Sequence, residues 1–288
     1  MLFVGVFHSA IAIKPFYGFG TFDKNVRTMT TEVTKTLVNN GFEVVGMYHP
    51  SHEDSLCVII FTCDELTSMA TGVGDKAAFG STIRVGIIGK GQQSLLTMLN
   101  PHYFVHAYFN SKANGEDVEF MTSKIDSLAL SAMSVFSKSP IKYGDDLSVE
   151  ELSSYRFLPT MAKFNDVVEL GEFDEYIEAI TVVRQNIMSG VGDAELAYEI
   201  CFEDKEIAVF GVTFNNAVEK ELLEFLGVEY ISSLPFEVLI QDNMAYMLSP
   251  KYRIPLYKPG LSSFKLLKLM SLSSEIKDGL YGVSEVDE

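Results

Sequence analysis

The chain contains no tryptophan and only three cysteines. Cys57, Cys63 and Cys201 form no CxxC pair and no metal-finger spacing, and an odd number of cysteines argues against a disulfide framework. Each lies in an apolar, strand-like run, where a thiol usually acts as a small core side chain. The sequence therefore predicts neither a disulfide-stapled fold nor a zinc finger, and we expect no bound cofactor.

Basic residues are also scarce. There are 22 lysines and arginines against 39 aspartates and glutamates, which gives a net charge of -17 at pH 7. Such a chain repels nucleic-acid backbones and anionic lipid surfaces. No apolar run approaches the roughly 20 residues that a membrane-spanning helix needs. We therefore expect no nucleic-acid partner and no membrane insertion, but an unknown small-molecule or protein partner and a monomeric or homodimeric chain.

The N-terminal segment "MLFVGVFHSAIAIKPF" lacks the basic residues that open a signal peptide. It does contain Ala10-Ile11-Ala12, which has the small-x-small form of a signal-peptidase site. Two interpretations stay open. The segment is either a first strand of a cytoplasmic protein or the end of a signal segment that starts upstream. We prefer the second interpretation, which predicts a periplasmic or other extracytoplasmic location.

What the sequence does have is a hydrophobic content of 47% and an order of elements that occurs twice. Each half begins with a helix whose apolar residues recur at helical spacing. In the first half these are Val26, Met29, Val33 and Leu37, and in the second Phe173, Tyr176, Ile180, Val183 and Ile187. Two strands, a short helix, a hairpin and a last strand are predicted to follow in both halves. The pattern indicates two tandem α+β domains.

A helix and a linker are predicted between the two halves. The apolar positions of the helix are Val118, Met121, Ile125, Leu128, Ala132 and Val135, which step by three and four. The segment at 139–164 contains proline and glycine and begins with little apolar content, as a linker does. We therefore place one domain at 14–138 and the other at 165–288, each ending in a helix.

The stretches "TMLNPHYFVHAYF" and "YMLSPKYRIPLYK" are closely similar and lie at corresponding places. Their shared residues are Met98, Leu99, Pro101, Tyr103 and Tyr108 in the first, and Met247, Leu248, Pro250, Tyr252 and Tyr257 in the second. Proline cannot donate to a strand ladder, so we expect each copy to turn there and add one more strand near the seam between copies. The two copies should then pair as one chain imitating a homodimer.

The repeated pattern resembles the bacterial and archaeal family of domains of unknown function number 302. In the first half the resemblance rests on "NNGFEVVG", "CVIIFTCDEL", "STIRVGIIGKG" and "MLNPHYFVHAYF", and in the second on "LPFEVLIQDNMAYMLSPKYRIPLYKP". The resemblance implies a β-α-β-β-α-β-β domain with an antiparallel sheet, helices packed on one side and copies that pair as a pseudo-dimer. It implies no reaction and no catalytic residues.

Histidines supply the candidate metal ligands. His49 and His52 lie in an acidic turn before Cys57 and could hold a metal or transfer protons. His102 and His106 are four residues apart, a spacing that places two ligands on one helix face. In the extended structure expected here they would instead stand about 13 Å apart, too far for one ion. The sequence thus favours His49 and His52.

The tyrosines of the repeated stretches are the candidate ligand-binding residues. Tyr103, Tyr108, Tyr252 and Tyr257 could pack the two copies together or line a binding site at their seam. No GxSxG, HExxH or phosphate-binding loop occurs in the sequence. We therefore expect a non-enzymatic accessory module that binds a small ligand or a partner at the seam. The alternatives are a metal-dependent or redox enzyme that uses His49, His52 and Cys57, and a purely structural subunit.

Overall fold

The computed structural model describes residues 12–74, 76–109, 115–215 and 217–285, which form an α+β fold. The strands are β1 (Ala12–Ile13), β2 (Phe16–Phe22), β3 (Glu43–Tyr48), β4 (Leu56–Thr62), β5 (Ile83–Lys90), β6 (Gln93–Leu99), β7 (Ile141–Tyr143), β8 (Leu147–Ser148), β9 (Val168–Glu172), β10 (Ala194–Phe202), β11 (Ile207–Phe214), β12 (Phe236–Gln241) and β13 (Met244–Met247). The helices are α1 (Val26–Asn39), α2 (Asp64–Gly72), α3 (Pro101–Tyr108), α4 (Gly115–Met133), α5 (Val149–Ser153), α6 (Tyr176–Met188), α7 (Ala217–Leu226), α8 (Pro250–Leu256) and α9 (Leu266–Gly282).

One antiparallel sheet runs through both halves of the chain. Its strand order is β7-β2-β6-β5-β4-β3-β10-β11-β12-β13-β9. From the junction of β3 and β10, the order outward is β3-β4-β5-β6-β2 on one side and β10-β11-β12-β13-β9 on the other. The two sides therefore use corresponding strands in the same sequence. The α+β antiparallel class that we predicted is confirmed, whereas the origin of this arrangement by duplication stays a prediction.

The junction between the two sides requires a glycine. Gly46 of β3 pairs with Tyr198 of β10, and a Cβ on Gly46 would lie 2.2 Å from the carbonyl oxygen of Ala197. No side chain fits at that distance, so the backbones approach closely only because residue 46 has none. The junction thus depends on one residue whose role the sequence pattern did not indicate.

Helices α1 and α6 occupy corresponding places on the sheet. Helix α1 contacts β3, β4 and β5, and helix α6 contacts β10, β12 and β13. Their buried residues are Val26, Met29, Val33 and Leu37 in α1, and Tyr176, Ala179, Ile180, Val183 and Ile187 in α6. The apolar faces predicted from helical spacing are therefore confirmed, except that Phe173 is buried before the start of α6. Burial of these residues fixes each helix on the sheet.

The segments after Pro101 and Pro250 are helices, and the prediction of an additional strand there was wrong. Asn100 caps α3, because its side-chain oxygen accepts a hydrogen bond from the His102 amide, and Pro101 occupies the first helical turn. Proline suits that position because its missing N–H has no intrahelical partner there in any case. Pro250 takes the same place in α8. Both short helices are buried on most sides. Their apolar residues are therefore not confined to a spacing of three and four in the sequence.

The segment at 139–164 is built into the fold. Strand β7 pairs with β2 at one edge of the large sheet, and β8 pairs with β1 in a separate two-stranded sheet. Tyr155 and Phe164 are buried and pack their rings against Tyr252. The segment we predicted as a linker therefore connects the halves and also covers the seam.

Residues 1–11 of the candidate signal segment lie outside the described residues, whereas its last residues form β1 and the start of β2. The location that the segment predicts is not tested. Among the residues that the structure describes, no helix is both long enough and apolar enough to cross a membrane.

Candidate functional site

His102 and His106 lie on one face of α3, with their ring centroids 6.3 Å apart. The capped helical start at Asn100 and Pro101 sets this arrangement, because residues four apart face the same way in a helix. The inference that the two histidines stand too far apart for one ion was therefore wrong. It rested on the extended backbone that the structure replaces with a helix.

Glu119 of the neighbouring helix α4 completes a three-residue cluster. Its carboxylate lies 3.1 Å from His106 Nε2 and 4.0 Å from His102 Nδ1. One ligand atom from each of the three residues lies within 4.8 Å of the others, and in the described parts of the chain this is the one group of three such side chains. The side chains are 21%, 11% and 56% exposed for His102, His106 and Glu119. Glu119 is thus the solvent-facing member of the cluster, whereas His106 Nε2 is itself buried.

A buried carboxylate lies behind the cluster. Asp126 Oδ2 is 3.6 Å from His102 Nε2, the nitrogen on the opposite side of the ring from the one nearest Glu119. The Tyr17 hydroxyl donates to Asp126, at 3.0 Å from Oδ1 and 3.2 Å from Oδ2. Tyr17 lies in β2, so the sheet, α4 and α3 are connected through these side chains. Carboxylates in metal sites orient ligating histidines by accepting a hydrogen bond from the far ring nitrogen. Asp126 faces that nitrogen of His102, at a distance longer than a hydrogen bond.

Burial shapes the electrostatics of the cluster. It lowers the pKa of His106, although the Glu119 carboxylate acts in the opposite direction. It raises the pKa of Asp126, against the effects of His102 and the Tyr17 hydrogen bond. A lowered histidine pKa favours the neutral imidazole, which is the form that binds metal ions.

The second half of the chain does not repeat the cluster. At the offset that aligns the two tyrosine pairs, Lys251 and Pro255 stand where the first half has His102 and His106. Neither residue offers an imidazole, so these two positions of the second half do not form the same arrangement.

The four predicted ligand-binding tyrosines do come together, at the seam between the halves. Tyr103, Tyr108, Tyr252 and Tyr257 are each at most 1% exposed. The rings of Tyr103 and Tyr257 are 6.0 Å apart, and those of Tyr108 and Tyr252 are 6.5 Å apart. Binding of a ligand here stays a prediction, and in this structure the rings offer it no open surface.

Hydrogen bonds across the seam are reciprocal. The Tyr103 hydroxyl donates to the carbonyl of Leu256 at 2.6 Å, and the Tyr252 hydroxyl donates to the carbonyl of Ala107 at 3.1 Å. The hydroxyls of Tyr108 and Tyr257 meet each other at 3.2 Å. Such an exchange of the same contacts is typical of a two-fold interface between identical subunits. Helices α3 and α8 are thus held together by matched bonds.

His49 and His52 have different surroundings. His49 Nδ1 donates to the Leu56 carbonyl at 2.6 Å, and a cavity of about 600 Å³ opens beside its ring. His52 Nε2 lies 3.3 Å from Glu195 of the second half. Cys57 is buried, and burial raises the pKa of its thiol, which makes it a poor nucleophile. A metal site at His49 and His52 stays a prediction.

No protein-family model matches the chain, and neither does any curated protein or solved structure. The resemblance to family number 302 therefore stays a prediction. The geometry of the cluster is what supports a functional assignment.

Glu119, Asp126 and Tyr17 were missed by the sequence interpretation. Val118, Ile125 and Ala132 of the predicted stripe are buried, but Leu128 is 38% exposed and Val135 lies beyond the end of α4. The buried face of α4 also includes Asp126, which the prediction left out. Asn100-Pro101 could have indicated the site, because a capping residue followed by proline predicts the start of a helix. A helix there places His102 and His106 on one face.

Proposed function

We propose that this protein binds one divalent transition-metal ion, such as Zn²⁺, through His102, His106 and Glu119. The observation that carries the proposal is the convergence of two imidazoles and one carboxylate from α3 and α4 within 4.8 Å. Zinc–ligand bonds of about 2.0–2.2 Å place neighbouring ligand atoms in a tetrahedral site a little over 3 Å apart. The contact between His106 and Glu119 is already at 3.1 Å.

Three protein ligands leave a coordination position for water or another molecule, as in catalytic zinc sites. The exposure of more than half of the Glu119 side chain supports access to the ion from solvent on that side. The proposed function is thus a metal-binding module with an accessible ion in its first half. The seam tyrosines serve to hold α3, the helix that carries both histidines.

Metal analysis of purified protein after dialysis against Zn²⁺ tests the proposal. We expect one ion per chain in the wild type, and its loss in His102→Ala/His106→Ala. The matched control is His49→Ala/His52→Ala, which should keep the ion. Loss of the ion only in that control would move the site to the acidic turn, and wild-type protein without any ion would refute the proposal.

A further inference from the structure

Two polar residues, Asp126 and Tyr17, lie behind the cluster of His102, His106 and Glu119 and are not proposed as metal ligands. Asp126 is 9% exposed and Tyr17 is 1% exposed, so both sit in the interior. A buried carboxylate costs free energy unless it is hydrogen-bonded or paired. The Tyr17 hydroxyl contacts both of its oxygens, and the second of them also faces His102.

We infer that Asp126, held by Tyr17, is a positioning residue that keeps the Nε2–H of His102 turned towards itself and leaves Nδ1 to bind the metal ion. This inference rests on the proposed metal-binding function. The two ring nitrogens already face different groups, with Asp126 3.6 Å from Nε2 and Glu119 4.0 Å from Nδ1. A charge-assisted hydrogen bond of about 2.8 Å requires the Asp126 and His102 atoms to approach by less than ~1 Å.

We therefore expect the two histidines to bind the ion through different ring nitrogens. His106 presents Nε2 to Glu119, whereas His102 presents Nδ1. Neutral imidazole has only one nitrogen free to bind a metal, and the hydrogen bond made by the other nitrogen decides which one it is. A carboxylate behind the ring also makes the ligand more basic, and losing it typically weakens metal binding about 10- to 100-fold.

The direct test is NMR of ¹⁵N-histidine-labelled wild-type protein loaded with ¹¹³Cd²⁺. Coupling between cadmium and nitrogen should appear at Nδ1 of His102 and at Nε2 of His106. Coupling at Nε2 of His102 would overturn the inference while leaving the metal site intact. A wild-type protein that binds no Cd²⁺ would overturn both the inference and the proposed function.

Variants provide a second readout, which is Cd²⁺ affinity measured by calorimetry. Asp126→Ala should weaken binding about 10- to 100-fold, and Asp126→Asn should recover much of the loss because an amide oxygen still accepts the Nε2–H bond. Asp146→Ala, which removes an exposed acid elsewhere, is the matched control and should bind as the wild type does. Unchanged affinity in Asp126→Ala, or an equal loss in Asp126→Asn, would contradict a positioning role.

Discussion

Arg84 and Glu237 occupy corresponding positions in the two halves and form a buried ion pair with each other. Each is the second residue of its strand, β5 or β12, and each pairs with the strand before it, opposite Ile60 or Gly211. Equivalent positions with opposite charges suit association of unlike halves, because two like copies would place equal charges against each other. The ion pair therefore favours contact between the first and second halves of one chain over contact between two identical halves.

Removing one partner of this pair should be strongly destabilising. Glu237 also lies 3.4 Å from Arg253, so Glu237→Gln would leave two buried guanidinium groups without their carboxylate. We expect the free energy of unfolding in urea to fall by about 3–5 kcal/mol. The exposed pair of Lys24 and Glu32 gives the control, since Glu32→Gln should cost about 1 kcal/mol or less. A similar small loss for Glu237→Gln would contradict this account.

The reciprocal tyrosine bonds predict matched losses of stability. Tyr103→Phe and Tyr252→Phe each leave a buried backbone carbonyl without its donor, which costs about 1–3 kcal/mol. Chemical denaturation of both variants should therefore show similar decreases. Tyr246→Phe, at a partly exposed ring, is the control and should change stability little. A large loss in only one of the two seam variants would mean that the contacts are not equivalent.

Glu219 predicts a specific dependence of stability on pH. It is buried in α7 and accepts hydrogen bonds from the Ser51 amide and the Thr213 hydroxyl, but burial outweighs them and raises its pKa above the ordinary 4.5. When the pKa of Glu219 is higher in the folded than in the unfolded protein, protonation of Glu219 adds to the free energy of unfolding. This contribution is complete below the pKa that Glu219 has in the unfolded protein. It is lost as the pH rises through the folded pKa.

Comparison with Glu219→Gln isolates this contribution, because glutamine stays neutral at every pH. As the pH rises from 4 to 8, the wild type should lose stability relative to the variant. The loss should be about 1.4 kcal/mol for each unit by which the pKa is raised. Urea unfolding at each pH measures the difference. A difference that stays constant across this range would show that the Glu219 pKa is not raised.

Much of the fold could be predicted from local patterns. The helical spacing of Val26, Met29 and Val33 gave α1 correctly, and strict ordering of strands and turns gave the antiparallel sheet. These features are set by which residues are apolar and how they repeat, and both are visible in one sequence. The segments after Pro101 and Pro250 were wrongly predicted as strands, because their aromatic residues alternate along the sequence. A short helix that is buried on most sides produces the same pattern.

The candidate site depends on contacts that local patterns do not encode. Tyr17 and Asp126 are 109 residues apart, yet they share two short contacts. Packing against other elements decides how far the buried face of α4 extends, so the periodicity argument found Ile125 and Ala132 but included Leu128 and left out Asp126. The pairing of His102 with His106 could have been predicted once α3 was recognised as a helix. Asn100 followed by Pro101, a cap followed by a first-turn proline, indicates that helix.

Crystallographic analysis of Zn²⁺-soaked protein, with anomalous data at the zinc edge, locates a metal ion bound between α3 and α4. We expect one anomalous peak per chain, about 2.0–2.2 Å from a nitrogen of His102, a nitrogen of His106 and an oxygen of Glu119. A peak at His49 and His52 instead, or no peak between α3 and α4 at saturating Zn²⁺, would refute the proposed metal site.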